Sequence, residues 1–234
     1  MNIFLLKKES KELQQFSHII EFAFKKSTTI QFDSLKKETS KYLRIYYVVD
    51  GKFEWIIDEQ HYILYPGDLA VVLPGKIFGG EKGFFDIGTV SWLHIRLEQL
   101  EPSGKMTLGK WSSISANESR TIGKILMLNN SPVLSKLKEA GTILQMMQQE
   151  IQNQEIGYIT RFNQLTDELV ILIARQLTKQ NSSRRDFPQA FTKLEETLRD
   201  NLSHQWTVEE MAALVGLGTT AFSEKVNSTP VSLH

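Results

Sequence analysis

Cysteine is missing from this chain, which removes disulfides, thiolate metal sites and a cysteine nucleophile together. Net charge is missing too. The 27 Lys and Arg balance the 27 Asp and Glu, so no global field draws the chain to nucleic acid or to an anionic surface. Any such partner has to be met by a local face. Long apolar runs are also scarce. "LVILIA" (Leu169–Ala174) is far short of a membrane span, and "MNIFLLKKES" offers four consecutive apolar residues before its lysines, too few for a signal-peptide core. The HExxH and GxSxG patterns do not occur, and "GGEKGFF" (Gly79–Phe85) lacks the Gly-Lys-Ser/Thr ending of a phosphate loop. His18, His61, His94, His204 and His234 are scattered. The expectation is a soluble, cytoplasmic, non-enzymatic protein with no catalytic residue, no cofactor and no membrane partner.

What is present is an ordinary globular composition. The chain has 234 residues, 41% of them hydrophobic and 23% charged, enough for one large domain or two small ones with a real core. Three zones follow one another. In the first, to about residue 111, β-type runs end in turn residues. "YLRIYYVV" (Tyr42–Val49) stops at Asp50-Gly51. "KFEWII", "HYILY", "LAVVL" and "TVSWLHIRL" follow, separated by "DEQ", Pro66-Gly67-Asp68 and Pro74-Gly75. That spacing predicts a sandwich or small barrel, with Gly67 and Gly75 in tight turns and "GGEKGFF" as a flexible loop at its mouth. "KESKELQQFSHII" reads equally as helix or irregular arm.

The second zone, 112–180, carries helical periodicity. Tyr158, Phe162, Leu165, Leu169, Leu172 and Leu177 form one apolar stripe, and "LKEAGTILQMMQQEI" carries a similar face, with "QNQEIG" as the connection and Gly157 as a turn. Such a hairpin packs either on the β unit or against a second copy of the chain, and both readings stay open. "KQNSSRRDFP" (Lys179–Pro188) has no apolar period and reads as a linker.

The third zone, 187–234, ends in a helix–turn–helix pattern. Thr207 and Glu210 are spaced as a capping box. Val208, Met211, Ala212, Leu214 and Val215 then line one helix, Gly216 stops it, and Leu217 plugs the turn. Thr219 or Gly218 starts a second helix, in which Phe222 and Val226 face inward while Thr220, Ser223, Glu224 and Asn227 face out. "WTVEEMAALVGLGTTAFSEKV" resembles the first helix–turn–helix of the AraC/XylS-type transcription regulators, and "STPVS" (Ser228–Ser232) resembles the turn that follows their recognition helix. "YYVVDG", "YPGDLAVVLPGKIF" and "SWLHI" resemble the cupin-type barrel that such regulators carry.

The resemblance covers nearly the whole chain. It implies an α+β fold: a cupin-like barrel (1–111) that binds an effector, a helical dimerisation hairpin (112–180) and a partial DNA-binding domain (187–234). Two departures stand out. Residues are absent between Val226 and the Ser/Thr-Pro turn, and the second helix–turn–helix is missing. From Phe187 to His234 three basic residues (Lys193, Arg199, Lys225) face six acids (Glu195, Glu196, Asp200, Glu209, Glu210, Glu224), a net of −3 that opposes phosphate contact.

The resemblance implies DNA-binding residues Thr207, Thr219, Thr220, Ser223, Glu224 and Lys225. Metal-binding cupins hold Glu and His where this chain has Arg44, seven residues before Gly51, and Phe78, three after Gly75; no His lies near Lys37–Ser40. A metal site is therefore not expected. Effector contacts are expected from Arg44, Tyr46 and Phe78, and from Trp92, His94 and Arg96 on one face of a single strand, although Trp92 and His94 also admit plain core roles. Aromatic planes with Arg and His suit a sugar or a carboxylate. The expected function is an effector-controlled, homodimeric, sequence-specific regulator of promoter DNA. The alternatives are a metal-free small-molecule-binding cupin, or a dimerising regulator fragment that does not read DNA.

Overall fold

The computed structural model describes residues 2–30, 32–129, 131–200, 202, 206–214 and 219–228; side chains at 181–193, 195, 196, 200, 213, 221, 224, 225, 227 and 228 lie outside that description. The elements run β1 (Ile3–Leu6), a 3-10 turn (Lys11–Leu13), β2 (Ile19–Ser27), β3 (Glu38–Thr39), β4 (Leu43–Gly51), β5 (Phe53–Ile57), β6 (Gln60–Leu64), β7 (Leu69–Val72), β8 (Ile77–Gly80) and β9 (Gly88–Ile95). Then come β10 (Gln99–Leu100), β11 (Met106–Thr107), α1 (Ala116–Leu128), β12 (Val133–Leu134), α2 (Lys138–Asn153), α3 (Tyr158–Asp200), α4 (Val208–Leu214) and α5 (Thr219–Ser228). Backbone contacts group the chain into two units, Met1–Leu177 and Thr178–His234.

The first unit is built on two antiparallel sheets. One has six strands in the order β1-β2-β9-β4-β7-β12, the other four in the order β3-β8-β5-β6. No pairing among the described residues joins their edges, so the expected barrel is a pair of facing sheets rather than a closed ladder. The expected strands in "YLRIYYVV", "KFEWII", "HYILY", "LAVVL" and "TVSWLHIRL" all form. β1, β2 and β8 were not expected, nor were the two-residue strands β3, β10, β11 and β12. Gly79 and Gly80, read as loop, are strand residues of β8, and the "KESKELQQFSHII" segment divides into a 3-10 turn and the start of β2. The turn chemistry follows the residues. Asp58 and Glu59 both take positive φ in a two-residue hairpin, and Gly67 and Gly75 take φ of 93° and 85°.

The central strands are buried on both faces, and strict alternation sorts their side chains. Tyr46, Val48, Ala70, Val72, Val90 and Trp92 point between the sheets, where Phe53, Trp55, Ile57, Leu64 and Phe78 of the four-stranded sheet meet them. Leu43, Ile45, Leu69, Val71, Leu93 and Ile95 point the other way. That second face is covered by the helices: Ile122 and Leu126 of α1, Ile143, Leu144 and Met147 of α2, and Phe162, Leu165, Leu169 and Ile173 of α3. Of the two packings left open for the hairpin, an intramolecular one is present. The first two zones thus share one core. α1 opens on a full capping box between Ser115 and Glu118. α2 ends at Gln154 in the left-handed region, and Gly157 (φ 89°) turns the chain into α3.

Lys179–Pro188, read as a linker, is helical backbone inside α3 and lies just beyond the boundary between the two units.

Asp68, in the Pro66-Gly67-Asp68 turn, is buried. It accepts hydrogen bonds from the backbone N–H of Tyr65 at 2.9 Å and of Lys136 at 3.2 Å, tying the β6–β7 turn to the start of α2. Asp68→Ala leaves both donors without their acceptor. The expected loss is about 1–3 kcal/mol in urea unfolding, with Asp68→Asn intermediate.

His18 is 3% exposed, stacked on Trp111 at 3.9 Å, with both ring nitrogens unpartnered among the described residues. Burial, and then the nearby Lys7 ammonium, push its pKa down to about 3. The folded pKa lies below the unfolded value near 6.5, so the neutral form carries the stability. That stability is whole above pH 6.5 and is lost as pH falls towards 3. Wild type therefore loses about 1.4 kcal/mol per pH unit relative to His18→Phe below pH 6.5, read by denaturant titration at a series of pH values.

Candidate functional site

Between the sheets, the alternation that places Tyr46 and Trp92 in the aromatic core also places Arg44 and His94 there. These are charged or polar groups in a dry region, and each has to find partners. β2 supplies one of them. Glu21 accepts a hydrogen bond from the Trp92 indole at 2.7 Å and lies 3.2 Å from His94 Nδ1. His94 Nε2 is 2.9 Å from the Tyr46 hydroxyl. A carboxylate only accepts, so the neutral imidazole carries its proton on Nδ1 and Nε2 accepts from Tyr46.

The electrostatics agree with that assignment. Burial pushes the Glu21 carboxyl up, but His94, the Trp92 indole and the Arg44 charge outweigh it and hold it below its ordinary range. Burial outweighs Glu21 at His94 and lowers its pKa, so the ring stays neutral. Burial likewise raises Tyr46 well above the usual phenol range, against the pull of Arg44. At Arg44 burial opposes the charge, while Tyr46 and Glu38 favour it, and the balance lies on the charged side.

The aromatic lining is continuous. Phe78 stacks on Tyr46 at 4.7 Å, Trp55 meets Tyr46 edge-on at 5.2 Å, and Phe85 stacks on Trp92 at 5.7 Å. The Arg44 guanidinium lies over the Phe78 ring at 5.8 Å, and its Nη2 donates to Glu38 of β3.

Five of the six expected effector residues therefore converge: Arg44, Tyr46, Phe78, Trp92 and His94. Arg96 does not. β9 ends at Ile95, the alternation ends with it, and Arg96 is exposed with its N–H bonded to the His18 carbonyl. Glu21 and Glu38 complete the site and were missed. An acid inside the apolar run "IIEFAF" was a usable signal for Glu21; nothing local marks Glu38. Among the described residues no group of three or more His, Cys, Asp or Glu is arranged to hold a metal ion. Two open grooves flank α2 outside this region. One, of about 800 Å3, is floored by Ile143, Met146, Ile171 and Leu172. The other, of about 710 Å3, is floored by Phe24 and Tyr47.

In the second unit the capping box is present. Thr207 Oγ1 accepts from the Glu210 N–H at 3.2 Å, and Glu210 accepts from the Thr207 N–H at 2.9 Å. Among the described residues Leu194, Ala212 and Phe222 form a core cluster. Thr219, Thr220 and Ser223 are exposed on α5. Val226, expected inward, is 37% exposed, and Val208 and Leu214 are exposed as well. The Gly216–Gly218 turn with its Leu217 plug, the side chains of Glu224 and Lys225, and the Ser/Thr-Pro turn after Ser228 lie outside the described residues.

No protein-family model matches the chain, and no curated protein matches it. Among solved structures it is similar to the AraC-like transcriptional activator CuxR, with 11% identity over 94% of this chain and 77% of that one, at a TM-score of 0.38. It is similar to apo ToxT from Vibrio cholerae, with 10% identity over 91% of this chain and 76% of that one, at a TM-score of 0.33. It is also similar to the EutQ protein of Clostridium difficile, with 19% identity over 36% of this chain, at a TM-score of 0.27, and it spans 60% of that chain's length. No helix among the described residues is long and apolar enough to cross a membrane.

Tyr46→Phe tests the buried relay. It leaves His94 Nε2 without its donor in a dry region, and the expected cost is about 1–3 kcal/mol in urea unfolding. An unchanged midpoint would mean that water or another donor serves His94.

Proposed function

We propose that this chain is an effector-controlled transcription regulator of the AraC type. The two-sheet unit binds a small molecule without transforming it, and the α4–α5 pair contacts promoter DNA. The observation that carries the reading is α5. Its Phe222 is buried with Ala212 of α4, while Thr219, Thr220 and Ser223 stand exposed on the same helix. A short polar face beside a plugged inner face is what a major groove admits. Thr207 belongs to this reading through the cap that fixes the start of α4. The apolar floor of the groove beside α2 and α3 suits a second copy of the chain, so the acting form is a homodimer. Effector binding then shifts the population of DNA-competent dimers.

The charge balance favours a second reading. With a net of −3 over Phe187–His234, the chain can dimerise and still not hold DNA on its own.

Gel-shift titration against the chain's own upstream promoter DNA separates the two. The regulator reading expects sequence-selective binding that weakens steeply between about 50 and 200 mM salt, and that loses about tenfold on Thr220→Ala with Ser223→Ala. A stable dimer in sedimentation with no selective binding at low salt supports the second reading and removes the first.

A further inference from the structure

The inner site contains an inconsistency that points to its ligand. Arg44 has a side chain 11% exposed, and its Nε is buried with no partner among the described residues. The Trp55 indole Nε1 is likewise buried and unpartnered. Both groups pack on the Phe78 ring, Arg44 over its face and Trp55 edge-on at 5.4 Å. Both orphans are donors. What completes them must accept, and a buried donor left unmade is costly.

Glu38 meets part of this need from outside. Its carboxylate takes Arg44 Nη2, yet its side chain is 61% exposed and sits on a two-residue strand at the edge of its sheet. An exposed carboxylate making one bond is weakly held. The guanidinium fork is shaped for two parallel bonds to one carboxylate. Glu21, the other acid near Arg44, is committed to Trp92 and His94.

We infer that Glu38 is an internal stand-in for the carboxylate of a small organic acid. The acid binds Arg44 side-on through Nη2 and Nε and displaces Glu38. A neutral sugar offers hydroxyl acceptors but no charge with which to displace a carboxylate from a guanidinium, so the choice between sugar and carboxylate falls to the acid. Glu38 then sets the threshold: free anion must outcompete a tethered one. The inference rests on the effector-binding reading of the two-sheet unit and names its ligand class.

Acetate is the probe. With Glu38 removed, it can fill the vacated position. In Glu38→Ala the thermal midpoint rises saturably with acetate relative to chloride at equal ionic strength. Wild type needs about tenfold more acetate for the same rise, and Arg44→Gln shows no difference between the two anions. Glu38→Gln keeps the side-chain shape, and in it the Arg44 Nε–H resonance shifts on acetate addition. Equal effects of acetate and chloride on Glu38→Ala, or an acetate effect that survives Arg44→Gln, would overturn the stand-in. The gel-shift assay separates this from the regulator reading. Acetate binding without promoter binding removes the regulator and keeps the carboxylate site. Promoter binding with no acetate response removes the stand-in alone.

Discussion

Burial of the central strands on both faces is the constraint from which the rest of the first unit follows. β9 is buried along its whole length, and β4 is buried at Leu43, Ile45, Tyr46 and Val48. A strand with no solvent face has to place every odd residue in one core and every even residue in the other. The aromatic core between the sheets and the mixed core under the helices are therefore two readings of the same strands. Neither can be repacked without the other, since interiors are close-packed and transmit a volume change to their neighbours.

The same constraint explains the polar network. Arg44 and His94 occupy alternation positions that would ordinarily carry aliphatic side chains. Solvent cannot satisfy them, so the protein does: Glu21 reaches His94 from β2, and Glu38 reaches Arg44 from β3. The outcome is unequal. Glu21 has both oxygens engaged by buried donors and gains from the low local dielectric. Glu38 is at the surface, where its ion pair is screened and conformationally costly. A structure that needed Arg44 only for stability would do better with an aliphatic residue. One well-satisfied carboxylate beside one loosely held one is the arrangement of a site with a fixed wall and an exchangeable one.

Much of this was legible in the residues. β-branched and aromatic runs marked β4, β5, β6, β7 and β9, with Asp-Gly closing β4 and Pro-Gly following β6 and β7, and parity along β4 and β9 gathered Arg44 with Tyr46 and Trp92 with His94. Parity fails where a strand stops, and Arg96 lies one residue beyond Ile95. It also says nothing about which strand lies beside which. Glu21 meets Trp92 across 71 residues of sequence, a contact set by tertiary pairing that no local pattern encodes. The polar stretch after Leu177 was marked as a linker by its lack of an apolar stripe; its backbone is helical, because a stripe reports burial and not helix. In the C-terminal unit the Thr207 cap followed from spacing, because caps are local; the i,i+4 pair Phe222 and Val226 placed Phe222 inside correctly and misplaced Val226.

β4 also joins the inner site to the helical hairpin. Tyr46, in the polar network, is followed by Tyr47, whose ring faces the opposite way, against α2. Gly141 makes that contact possible: a Cβ there would lie 2.5 Å from the Tyr47 ring. Glycine inside a helix costs about 1 kcal/mol relative to alanine, so the sequence accepts a weaker α2 to bring its backbone onto the strand. A shift of β4 at Tyr46 toward α2 meets that contact, and is taken up either by the Tyr47 ring turning into the groove it floors or by movement of α2.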